Sequence, residues 1–151
     1  MRLRPIRVEV PRRIINEFKA AAKEAFPRET FAYLLGRDAG TVVEIEELFF
    51  PMDVDEWCSE NGVMISDEWL PAARSEGAHH GLVVVGDIHS HPFRHKELGK
   101  VIPGCVPSEI DLEGGSPHIS GICAVRELRT GRKISSVRFW GPHFPVIEEI
   151  R

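Results

Sequence analysis

The chain has 151 residues and a net charge of −4, enough for one domain with a real core over residues 1–151 and too few for two. That charge balance gives no basic excess for a nucleic-acid partner, and no apolar run approaches membrane-spanning length. The start, MRLRPIRVEVPRR, lacks the apolar middle of a signal peptide, and three cysteines without a CxxC pair form no disulfide framework, so the expected compartment is the cytoplasm. Arg2, Arg4, Arg7, Arg12 and Arg13 cluster near the start and read as a solvated face. Arg7 to Val10 reads as a short strand. Pro11 suits the first residue of a helix, where its missing N–H costs nothing. Ile14, Ile15, Phe18, Ala21, Ala22, Ala25 and Phe26 then recur at helical spacing until Pro27 ends the run. Phe31 to Leu35 is an apolar run closed by Gly36 and reads as a buried strand. Asp38-Ala39-Gly40 reads as a hairpin turn into a second strand, Thr41 to Phe50.

Pro51 to Gly62 is polar and irregular. Ser66, with acids at Asp67 and Glu68, reads as the start of a helix that runs to about Glu76 and stops at Gly77. Leu82 to Ile88 is the strongest strand signal, because Val83-Val84-Val85 is β-branched throughout. Its near-continuous apolar run predicts cover on both faces. Phe93 to Pro107 reads as a loop, and Ser108 opens a short helix ended by Gly114-Gly115. Ile119 to Val125 and Ile134 to Trp140 read as two further strands. Strands interleaved with helices predict a layered α/β domain.

The chemistry concentrates in Gly86-Asp87-Ile88-His89-Ser90-His91-Pro92, at the end of that strand. Residues two apart on a strand point to one side, about 6.5 Å apart along the chain, which lets two imidazoles converge on one ion. A strand end at the sheet rim is also where open α/β sheets place their sites. Taken alone the pair stays open to accident, since the chain has seven histidines. In Ser108-Glu109-Ile110-Asp111, Ser108 and Asp111 share one face of a helical turn. The same pattern is a helix start, with serine capping and the acid favoured by the helix dipole. Two histidines and a carboxylate make the three protein ligands common in catalytic zinc sites, with a fourth position left for water.

His89-Ser90-His91-Pro92 followed by Ser108-Glu109-Ile110-Asp111 resembles the JAMM motif of the MPN-domain metalloproteases. Ala25-Phe26-Pro27-Arg28-Glu29-Thr30, with Leu34-Leu35-Gly36 after it, is similar to the family's stretch after its first helix, and matches its catalytic glutamate to Glu29. The likeness runs from the first helix to the last strand. The fifteen residues from Phe93 to Pro107 exceed the family's usual spacing. The resemblance implies a mixed central sheet flanked by helices, the MPN fold that the cytidine deaminases share in outline. It implies Zn2+ held by His89, His91 and Asp111, with Glu29 as general base and Ser108 donating to the oxyanion. The implied reaction is hydrolysis of a peptide or isopeptide bond, at the tail of a ubiquitin-like or sulfur-carrier protein. The alternative is a non-enzymatic MPN scaffold, whose members typically lack some of the metal residues. A zinc deaminase would need His-x-Glu and Pro-Cys-x-x-Cys, which this sequence lacks. His79, His80, His95, His118 and His143 read as surface or loop residues, Cys105 as a small apolar loop residue, and Trp57, Trp69 and Trp140 as core or edge aromatics.

Overall fold

The computed structural model describes residues 7–93, 119–141 and 147–151. Within them the chain runs β1 (Arg7–Val10), α1 (Arg12–Ala25), β2 (Phe31–Asp38), β3 (Val42–Phe49), a 3-10 turn (Val54–Trp57), α2 (Trp69–His79), β4 (Val83–Phe93), β5 (Ile119–Glu127), β6 (Lys133–Trp140) and β7 (Ile147–Ile150). The strands form one seven-stranded mixed sheet in the order β6-β5-β4-β2-β3-β1-β7. β4 and β5 are parallel, and β1 is parallel to β3 and β7. The β2–β3, β2–β4 and β5–β6 pairs are antiparallel.

The two helices lie on opposite faces of this sheet. Alternation along β2 decides this, since successive side chains leave a strand on opposite sides. Ala32 and Leu34 join a core cluster with Ile14, Ile15, Phe18 and Ala22 of α1. Phe31 and Tyr33 join a second cluster with Trp69 and Ala73 of α2. The four α1 residues are the buried stripe expected from the helical spacing. Phe18 also stacks on Phe50, with ring centroids 6.1 Å apart. On β4 and β5, Ile88, Ile119, Cys123 and Val125 fall on the α1 side.

Several sequence expectations shift by a few residues, each for a stated reason. α2 begins at Trp69 rather than Ser66, because Ser66 spends its carbonyl on a preceding turn, accepting from the Trp69 N–H at 3.1 Å. It passes through Gly77, the expected stop, and ends at His79. Gly77 is buried under the returning chain, where its carbonyl accepts from the Leu82 N–H at 2.8 Å. The left-handed residue that turns the chain is Gly81, at φ +68°. β2 runs through Gly36 to Asp38, because Gly36 lets the Glu44 carbonyl of β3 approach where a Cβ would collide with it. The valine run is not covered on both faces, since Val83 is 56% exposed. β4 does not end at the histidines but continues through Pro92 to Phe93, paired to β5 as far as Arg126. β2 pairs with β4 only as far as Phe31 opposite His89, so beyond it Pro92 has a partner strand on one side alone and its missing N–H interrupts no ladder there. β7 was not expected at all. The residues 94–118, which include the expected helix at Ser108, lie outside the described residues.

The irregular segment between β3 and α2 is tied down by one carboxylate. Asp53 accepts from the Trp69 indole N–H at 2.7 Å and from the Trp57 indole N–H at 3.0 Å. Phe31 stacks on Trp69 at 5.5 Å, and Trp57 meets Trp69 edge-on at 6.4 Å. The Trp69 bond, with Trp57 adding and burial opposing, holds the Asp53 carboxyl below its usual value. A lowered folded value means the clamp contributes fully above the ordinary aspartate pKa of about 3.9 and is lost as pH falls through the lower folded value. Tryptophan emission is therefore expected to shift towards that of exposed indole in acid below about pH 4. Asp53→Ala should show the shifted emission already at neutral pH, and an unchanged spectrum in that variant would remove Asp53 from the role.

Candidate metal centre

The sheet register assembles the site. Phe31 of β2 lies opposite His89 of β4, so the two share a face, the one that carries α2. His91 is two residues further along β4 and points the same way. Before β2 begins, the Thr30 N–H donates to Ser90 Oγ at 2.8 Å and the Ser90 N–H donates to the Thr30 carbonyl at 3.1 Å. These bonds carry the pairing one residue past Phe31 and deliver Glu29 to His91. On its other side Glu29 is held by its own N–H, which donates to the Ser59 carbonyl at 2.8 Å. Ser59 belongs to a small turn in which Cys58 bridges Val63 and the Ser59 N–H donates to Gly62.

One donor atom from each of Glu29, His89 and His91 lies within 4.8 Å of the others. The two histidine Nε2 atoms are 2.9 Å apart, with the rings 66° from coplanar. Two nitrogens on one tetrahedral zinc, each at 2.0–2.1 Å, stand about 3.3 Å apart. The observed pair needs only a few tenths of an ångström to accept such an ion. The donors are nitrogen and carboxylate oxygen, which suits zinc and other first-row divalent metals. Glu29 is 8% exposed, a buried position in which a carboxylate needs partners. The cluster could bind a metal ion.

The surroundings are built to keep competing groups quiet. Burial, then the charges of Asp55 and Glu29, push the Cys58 thiol up to about 11 against the opposing charge of Arg28. A neutral thiol there is a poor nucleophile. Burial, then Asp87, likewise raises the Tyr33 hydroxyl against Arg74. Tyr33 lies opposite Asp87 on the same face as His89. On the other flank, Ile122 and Ala124 of β5 stand beside His89 and His91 and are buried.

The structure thus brings together Glu29, His89 and His91. Ser108 and Asp111 lie outside the described residues, as do His95, Cys105, His118 and His143. His79 and His80 are exposed and are not among the residues of the cluster. Trp69 is buried, while Trp57 is 37% exposed. Ser90 is a residue that the sequence reading passed over. Its signal was present in the alternation: if His89 and His91 face the site, the residue between them faces the core, and a serine there must find a partner.

The model of the prokaryotic homologs of the JAB domain matches residues 11–140. The chain belongs to the prokaryotic JAB-domain family. The fold agrees with the solved structures from Desulfitobacterium hafniense and Salinibacter ruber. A protein of Desulfitobacterium hafniense, determined in solution, is 17% identical with a TM-score of 0.63, covering 95% of this chain and 94% of that one. A solution structure from Salinibacter ruber is 18% identical with a TM-score of 0.54, covering 93% and 91%. A JAB1/MPN domain protein from Archaeoglobus fulgidus is 23% identical with a TM-score of 0.44, covering 93% and 99%. No curated protein matches the chain at a significant level. For this JAB domain the match spans every described element from α1 to β6, and so includes all three residues of the cluster. Among the described residues, no helix is long and apolar enough to cross a membrane.

Proposed function

We propose that this JAB domain is a zinc-dependent peptidase or isopeptidase that cuts the C-terminal tail of a ubiquitin-like or sulfur-carrier protein. The observation that carries the reading is the convergence of two imidazoles and one buried carboxylate on the α2 face of the sheet. His89 and His91 would hold the ion, with Asp111 as the third protein ligand. When bound, zinc supplies Lewis-acid polarisation of the scissile carbonyl and lowers the pKa of its water to about 7. Glu29 takes a proton from the attacking water as the water oxygen bonds to the carbonyl carbon. Ser108 donates a hydrogen bond to the carbonyl oxygen as negative charge gathers on it. The C–N bond then breaks, and Glu29 passes its proton to the departing amine. One water is consumed, and a carboxylate and a protonated amine are released. The free thiol of Cys58 accords with a cytoplasmic setting.

The test is cleavage of a ubiquitin-fold protein with a short C-terminal extension by zinc-loaded protein. Release of the extension, abolished by a chelator and restored by zinc, is the expected result. No cleavage of any such substrate by protein shown to carry one zinc per chain would favour the scaffold reading instead.

A further inference from the structure

We propose that Ser90 is a positioning residue, a buried pin that holds Glu29 against the two histidines. The proposal rests on the hydrolytic reading above and names the part that keeps its base in place. Ser90 is 1% exposed and Thr30 4%. Ser90 gives Thr30 two bonds at once: its hydroxyl accepts from the Thr30 N–H at 2.8 Å, and its own N–H donates to the Thr30 carbonyl at 3.1 Å. The residues on either side of this pin are the site itself. His89 and His91 flank Ser90 in β4, and Glu29 precedes Thr30. The side chain of Ser90 therefore points to the α1 face while its neighbours point to the metal face. Its β5 partner Cys123 is wholly buried in the α1-side core.

The location explains why a hydroxyl is needed. At Thr30 the chain has not yet entered β2, so its N–H has no backbone ladder to join. Without the Ser90 oxygen that buried donor would be orphaned, and the segment would move to find water. Glu29 would move with it, because it is the adjoining residue and its own N–H is anchored to the Ser59 carbonyl in an irregular turn rather than to a strand. Displacement of a catalytic group by about 1 Å costs on the order of a hundredfold in rate. The histidines would stay, since β4 remains paired to β5 from Gly86 to Phe93.

The test compares Ser90→Ala and Ser90→Thr with the wild type, in zinc-loaded full-length protein. Ser90→Ala is expected to keep one zinc per chain and its KM, and to lose kcat by roughly tenfold to a hundredfold. Ser90→Thr keeps the hydroxyl and should restore most of that loss. Amide exchange at Thr30 should quicken by about tenfold or more in Ser90→Ala while Leu34 stays protected. Because Ser90 acts through Glu29, adding Ser90→Ala to Glu29→Gln should lower kcat no further than Glu29→Gln alone. An unchanged kcat, unchanged exchange at Thr30, or losses that multiply in the double variant would each overturn the proposal. The exchange measurement needs no activity. A wild-type chain that cleaves nothing would sink the hydrolase reading, and protection at Thr30 would still decide whether Ser90 holds the segment.

Discussion

If the proposed zinc site is right, His89→Ala and His91→Ala each abolish tight zinc binding while leaving the fold in place. Each imidazole supplies one donor atom to the cluster of Glu29, His89 and His91, and the two Nε2 atoms stand 2.9 Å apart. Loss of an outer-shell partner typically weakens metal binding by 10–100-fold, so loss of a ligand is expected to exceed that range. The fold should survive, because both imidazoles are only partly buried. The backbone bonds of β4 to β5 do not depend on those side chains. Zinc content after dialysis and affinity by chelator competition measure the effect, with the far-UV spectrum as control. One zinc per chain retained by both variants would show that the ion sits elsewhere.

Most of the fold was legible because periodicity decided it. The α1 stripe of Ile14, Ile15, Phe18 and Ala22 matches one face of one helix, and the apolar run Phe31 to Leu35 is buried throughout as part of β2. β7 was not legible, since Ile147–Ile150 is four residues long and, among the described residues, pairs with β1 alone, a contact distant in sequence that no local pattern signals. The extension of β4 past His89 was hidden for a related reason. Pro92 reads locally as a strand end, and only the pairing with β5, which leaves the other side of the strand free, makes it harmless. The site divides in the same way. His89 and His91 sit two apart on one strand, so spacing places them on one side, while the resemblance is what raises the pair above an accidental one. Glu29 is sixty residues away, and its place was open to resemblance but not to spacing. What delivers it is the Thr30–Ser90 pairing, which is tertiary.

Glu29→Gln is expected to keep zinc and fold and to lose at least about a hundredfold in kcat, the scale of a positioned proton acceptor. Glutamine preserves the length of the side chain and its hydrogen-bonding reach, so the backbone tie to Ser59 and the neighbouring Thr30–Ser90 pairing have no reason to change. It removes only the capacity to take a proton from water. The cluster geometry admits a second role, because a Glu29 oxygen lies within 4.8 Å of the histidine donors, as a ligand's would. The variant separates the two. If Glu29 is the base, zinc affinity stays near that of the wild type while turnover collapses. If it is a ligand, affinity falls together with turnover, as it does in His89→Ala. Zinc-loaded Glu29→Gln protein that cleaves the tailed ubiquitin-fold substrate as fast as the wild type would strike out both roles. The proton would then have to pass through another group, of which Glu109 is the nearest in sequence to the motif.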